Sequence, residues 1–125
     1  MSARPSTDRR RRAELSGRIA EWGAAILITL KGFAILARRY RVPAGEVDLI
    51  ARRGRLLVFV EVKARAELDA AIEAVTPRSR HRISAAAKAF LSRHAHLADS
   101  EVRYDIIVFA GWRMRHLPDA WRDEF

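Results

Sequence analysis

The chain holds 125 residues, half of them apolar and 31% charged, which is enough for one domain with one core and too few for two ordinary ones. A formal charge of +9 points to an anionic partner, nucleic acid before a membrane surface. The absence of cysteine excludes a disulfide framework and thiolate chemistry, and fits a reducing, cytoplasmic setting.

Residues 1–12 hold proline, serine, threonine and the run Arg9 to Arg12 without apolar periodicity. They read as a disordered basic arm that adds non-specific phosphate affinity, ahead of a single domain over residues 13–125. The apolar stretch Ile19 to Leu30 follows the arginines as a signal peptide would. Glu21 interrupts it, however, no small-x-small cleavage site follows, and it is too short to span a bilayer, so no stable membrane association is expected. The spacing predicts a helix from about Ala13 to Lys31, with Leu15, Ile19, Trp22, Ile26 and Leu30 forming one apolar stripe and Gly32 as the stop. Glu21 falls off that stripe, on an edge with Gly17, Ala24, Ala25 and Ile28. By spacing alone it is either a solvated helix glutamate or, where the small neighbours let this edge approach the sheet, a third carboxylate beside the hairpin.

Phe33 to Val42 is expected as a strand, and Pro43-Ala44-Gly45 as a turn into a hairpin that spans Gly45 to Arg65. Arg38, Arg39 and Arg41 on the first strand are either a solvated sheet end or phosphate contacts beside the hairpin. The hairpin sets acidic residues inside apolar, β-branched runs. With a two-residue loop at Arg53-Gly54, Asp48 falls opposite Phe59 and diagonal to Glu61; with a four-residue loop it falls directly opposite Glu61. Either register puts Asp48, Glu61 and Lys63 on one face, because side chains alternate with period two. Two carboxylates at that range do not both stay ionised unaided: one holds a proton, a cation lies between them, or the neighbouring lysine offsets one charge. Lys63 is notable in itself, since Lys31, Lys63 and Lys88 are the only lysines among 24 basic residues. A compact ammonium can orient a water as a diffuse guanidinium does not.

Ala66 to Val75 is expected as a loop or short helical turn. Thr76 as N-cap and Pro77 at the first position start a helix that runs to about His94 and buries Ile83, Ala87, Phe90 and Leu91. Arg78, Arg80, His81 and Arg82 crowd its first turns, where cations oppose the helix dipole. They are either an arginine-biased surface or the seat of an anion. His94 and His96 are capping or surface residues. Glu101 to Ala110 reads as a strand with Arg103 and Asp105 as a structural pair. Trp112 to Leu117 reads as a last strand, and Pro118 to Phe125 as a tail whose Trp121 packs back on the body.

This order of elements, with Asp48 followed by Glu61-Val62-Lys63, resembles the PD-(D/E)XK, or restriction-endonuclease-like, nuclease core. In that core an aspartate, then a glutamate or aspartate, one apolar residue and a lysine form the active site. The longer runs Gly45-Glu-Val-Asp-Leu-Ile-Ala and Val58-Phe-Val-Glu-Val-Lys-Ala-Arg look like the signature of the YraN family of uncharacterised bacterial proteins. The resemblance extends from Gly17 through the Thr76 helix and Val102-Arg-Tyr-Asp-Ile. Ala20 stands where the family typically has glycine, Arg39 where it typically has asparagine, and no proline precedes Asp48.

The resemblance implies an α/β fold with a restriction-endonuclease-like core, a mixed sheet containing an antiparallel hairpin and flanked by helices. It implies that Asp48, Glu61 and the backbone carbonyl of Val62 bind Mg²⁺ or Mn²⁺, that Glu21 joins through water as a third carboxylate, and that Lys63 orients the attacking water. Arg38, Arg41, Arg65, Arg78 and Arg82 are the candidate phosphate contacts. The expected function is metal-dependent hydrolysis of phosphodiester bonds in nucleic acid, DNA ahead of RNA, with a homodimer left open. The alternative is a non-catalytic nucleic-acid-binding or partner-recruiting module on the same fold.

Overall fold

The structure, a computed structural model, describes residues 5–123, with side chains from Gly17 onward. Helix α1 spans Pro5–Leu30; strands β1, β2 and β3 span Ala34–Val42, Gly45–Arg53 and Leu56–Ala64. Helices α2 (Leu68–Glu73) and α3 (Pro77–Arg93) follow, then a 3-10 turn over Ala95–Leu97 and strands β4 (Glu101–Ala110) and β5 (Arg113–Trp121). The five strands form one sheet in the order β1-β2-β3-β4-β5, antiparallel except where β3 and β4 run parallel. A parallel pair needs a long crossover, and α2 with α3 supplies it. The expected α/β fold, a mixed sheet with an antiparallel hairpin flanked by helices, is the fold observed.

Alternation along the central strands divides the core in two. Leu49, Ala51, Val58, Val60, Val62 and Ile107 meet α1 on one face. Ile50, Leu57, Phe59 and Tyr104 meet α3 on the other, and Ile106 and Val108 meet α2 beside it. The α3 side is rich in rings: Phe90 makes edge contacts with Tyr40 and Phe59, and Tyr104 stacks on Trp121 with centroids 5.0 Å apart. Thr76 caps α3 through a reciprocal pair of hydrogen bonds with Ser79, and Pro77 follows it. His94 ends the helix, its Nδ1 2.7 Å from the Phe90 carbonyl, in the capping role expected of it.

Three expectations are corrected. First, α1 starts at Pro5, well ahead of Ala13, so residues 5–12 of the expected arm have helical backbone, while residues 1–4 lie outside the described residues. Proline is accommodated in a first helical turn and arginine is a good helix former. Second, α1 turns its small residues Ala20, Ala24 and Ala25, with Ile28, to the sheet, and leaves Ile19, Trp22, Ile26 and Leu30 exposed. Small side chains let a helix lie close on a sheet, and that close contact prevails over the apolar stripe. Third, β5 runs through Pro118 to Trp121, so there is no separate tail before Trp121. An edge strand tolerates proline because one side of it has no ladder to satisfy, and the register shift between Tyr104 and Ile106, with Asp119 at φ 53°, absorbs the irregularity.

Candidate active site

The hairpin turns one residue later than expected. Arg53 pairs with Leu56 around Gly54 and Arg55, and Gly54 takes the left-handed φ of 60° that the turn demands. The resulting ladder, which ends at Leu49 opposite Val60, is in the register that points Asp48 toward Glu61. It stops there because β2 changes face: Leu49 packs with α1, whereas Val47 packs with α3. Its neighbour β1 changes face at the same level, since Arg38 lies over Trp22 of α1 and Tyr40 packs on Phe90 of α3. Between them Arg39 adopts φ 51°, a left-handed conformation costly for most residues and well tolerated by asparagine.

This paired break builds the site. Asp48 sits at the crossover, and its Oδ2 accepts a hydrogen bond from the Val62 N–H at 2.7 Å, where a continuous ladder would have used a backbone carbonyl. Glu61, 8% exposed, sets its carboxyl close beside that of Asp48. Burial first, and then the Asp48 carboxyl, push the Glu61 carboxyl up to about 9, against a smaller opposing effect of Lys63. The Lys63 ammonium lies 3.8 Å from Glu61 Oε2, beyond hydrogen-bond distance.

Two cavities meet at this point. The larger, about 740 Å³, lies on the α1 side and is bordered by Glu21, Asp48, Lys63, Arg65 and Gly111. The smaller, about 190 Å³, lies on the α3 side and is bordered by Glu46, Glu61, Lys63, Arg78 and Arg82. Lys63 lines both. The approach of α3 depends on Gly45, because a Cβ there would run into the backbone carbonyl of Arg82.

Of the sequence-derived site residues, Asp48, Glu61, Val62 and Lys63 come together. Glu21 borders the larger cavity with Asp48, but its Oε1 accepts from Arg39 Nε at 2.7 Å, and no group of three or more acidic or histidine side chains is placed to hold a metal among the described residues. Arg65 flanks the site on one side, Arg78 and Arg82 on the other. Arg41 is drawn into a 3.3 Å pair with Glu46, and Arg38 stacks 3.8 Å above the Trp22 ring, on the outer side of α1. Arg39, expected with Arg38 and Arg41 as a sheet-end or phosphate-contact arginine, instead pairs with Glu21, and its departure from the typical asparagine is the sequence signal for that. Trp112, expected as the first residue of the last strand, precedes β5. It is 93% exposed and follows Gly111, which lines the larger cavity, and its neighbours in sequence have no period that distinguishes it from a strand residue.

A second charged cluster is closed on itself. Buried Asp105 accepts two hydrogen bonds from Arg103 at 2.8 Å, one from His116 Nε2 at 2.8 Å and one from the Asp119 N–H at 3.0 Å. Burial acts to raise its carboxyl, but these donors outweigh that and hold it below the usual carboxylate range. With Nε2 donating, His116 Nδ1 is left to accept from Lys31 Nζ at 2.6 Å. The cluster joins β4, β5 and the end of α1, which is the structural role expected of the Arg103–Asp105 pair.

Comparison with known proteins adds the following. A family profile described as "Uncharacterised protein family UPF0102" matches residues 20–109, a span that contains Glu21, Asp48, Glu61 and Lys63. The chain is 50% identical over 127 residues to a UPF0102 protein of Paramagnetospirillum magneticum, with 98% of each chain covered. It is 51% identical over 104 residues to a UPF0102 protein of Parvibaculum lavamentivorans, covering 82% of this chain and 78% of that one. It is 48% identical over 122 residues to a UPF0102 protein of Sinorhizobium fredii, covering 97% of this chain and 100% of the relative.

Proposed function

This chain belongs to the UPF0102 family, the family that the YraN resemblance named, and from that premise we propose that it is a divalent-metal-dependent nuclease whose site is Asp48, Glu61 and Lys63. The observation that carries the reading is the apposed Asp48–Glu61 carboxyl pair at the point where β2 and β3 part, with one ammonium beside it and arginines on both flanks.

The residues fit Mg²⁺ or Mn²⁺. Without a cation the buried pair keeps a proton on Glu61, and a dication among hard oxygen donors replaces that proton and relieves the same repulsion. Asp48, Glu61 and the Val62 carbonyl would hold the ion, and Glu21 would join through water once released by Arg39. The ion supplies charge to polarise the scissile phosphate and lowers the pKa of a bound water. Lys63 orients the attacking water and offsets negative charge that develops on the phosphate oxygens. Arg65, Arg78 and Arg82 hold flanking phosphates without reading sequence. DNA stands ahead of RNA as substrate.

The test is a cleavage assay with Mg²⁺ or Mn²⁺ over single-stranded, duplex and branched DNA and RNA. Cleavage should vanish on chelation and in Lys63→Ala and Glu61→Ala; a variant as fast as the parent would remove the catalytic assignment. A second reading, a non-catalytic nucleic-acid-binding module, is favoured by one observation, the Arg39 side chain that occupies Glu21. Calorimetry separates the two: binding of Mg²⁺ or Mn²⁺ that is lost in Asp48→Asn supports the nuclease, and no binding supports the module.

A further inference from the structure

The outer face of α1 carries Ile19, Trp22, Ile26 and Leu30, which are 57 to 79% exposed. They recur three and four residues apart, the spacing of a seam between two helices. A helix packed on a sheet ordinarily turns such residues inward and presents polar ones to water. Here the arrangement is reversed. Beside the stripe lies an apolar hollow of about 460 Å³ bordered by Trp22, Ile26, Thr29, Leu30, Ile35 and Arg38.

We propose that this face is an isologous interface with a second copy of the chain, with α1 of one protomer antiparallel to α1 of its partner. Three arguments favour that occupant. The exposed area of the four stripe residues is on the order of 500 Å², near the upper end of what a monomer leaves in one patch and more than half of the ~800 Å² per partner that a stable dimer buries. The stripe is self-complementary: antiparallel pairing sets Trp22 against Ile26 and Ile19 against Leu30, so large apolar side chains face each other across the two-fold axis. Finally, one surface holds both projecting side chains and a hollow to receive them, which suits a protein partner of matching shape better than the fluid surface of a bilayer. Ile19 also borders the larger cavity, so the partner helix abuts the mouth of the candidate site. The proposal does not depend on nuclease activity.

Sedimentation velocity of the full chain between about 1 and 100 µM, the range that reports a micromolar Kd, provides the test. The mass should rise to twice the 14.2 kDa of one chain. Trp22→Glu and Ile26→Asp should each sediment as monomers with unchanged far-UV circular dichroism, while Trp112→Glu should remain dimeric. Because the chain has no cysteine, Ile26→Cys should also cross-link to itself with a short bis-maleimide, and Trp112→Cys should not. A parent that is monomeric throughout, α1 variants that stay dimeric, or an Ile26→Cys protein that does not cross-link would each overturn the proposal. A monomeric parent that binds anionic vesicles through Trp22 and Ile26 would overturn it in favour of a lipid surface.

Discussion

Glu61 is the residue on which pH acts. Its carboxyl is raised from 4.5 to about 9 in the fold, by burial and then by Asp48. The folded chain therefore holds one more proton than the unfolded chain between those values. This contribution to stability is complete below the lower value and is lost as pH rises toward the upper one. The melting temperature of the metal-free protein should fall as pH rises from about 5 to 9, and Glu61→Gln, which keeps a neutral group of the same shape, should flatten that slope. An unchanged slope in the variant would assign the titration elsewhere. Arg39 offers a second check at this scale. Its φ of 51° is a conformation asparagine adopts more readily, and its side chain occupies Glu21. Arg39→Asn gives up an exposed ion pair, which solvent screens, and relieves backbone strain of about 1–2 kcal/mol, so stability should hold or rise in denaturant titration. Affinity for Mg²⁺ should rise in the same variant, measured by calorimetry, as Glu21 is freed.

Among the elements, β2 and α3 set the site between them. The break in alternation at Asp48 brings a carboxylate from the strand onto the Val62 N–H, and the close approach of α3 brings Arg78 and Arg82 to the other side of Glu61. Gly45 makes that approach possible, since any Cβ would meet the Arg82 carbonyl. Gly45→Ala should lower stability by about 1–3 kcal/mol, the usual cost of overpacking, read as a lower denaturant midpoint with unchanged slope. It should also weaken nucleic-acid binding by displacing the first turns of α3. Helix α1 separates period from orientation. Its helical period was plain in the sequence, but the period alone does not say whether bulky or small residues meet the sheet.

For the whole molecule, the +9 charge and the arginines around the two cavities predict binding governed by phosphate neutralisation. Affinity for a short DNA should fall linearly on a log–log plot against salt, and Arg78→Ala or Arg82→Ala should each reduce that slope by about 1 in fluorescence anisotropy. Arg38→Ala, whose guanidinium lies over Trp22 on the far side of α1, should leave it unchanged. Among the described residues no helix is long and apolar enough to cross a membrane, which agrees with reading Ile19 to Leu30 as part of a helix that rests on the sheet. Strand and helix identities, the capped start of α3 and the grouping of Asp48, Glu61 and Lys63 were legible in the sequence because they rest on local period, turn chemistry and short spacing. The face change at Asp48, the loss of Glu21 to Arg39, the separation of Arg38 from Arg78 and Arg82, and the outward stripe of α1 were not. Each depends on contacts between residues distant in sequence, where close packing of one layer on another, and not the local pattern, selects which side chain points inward.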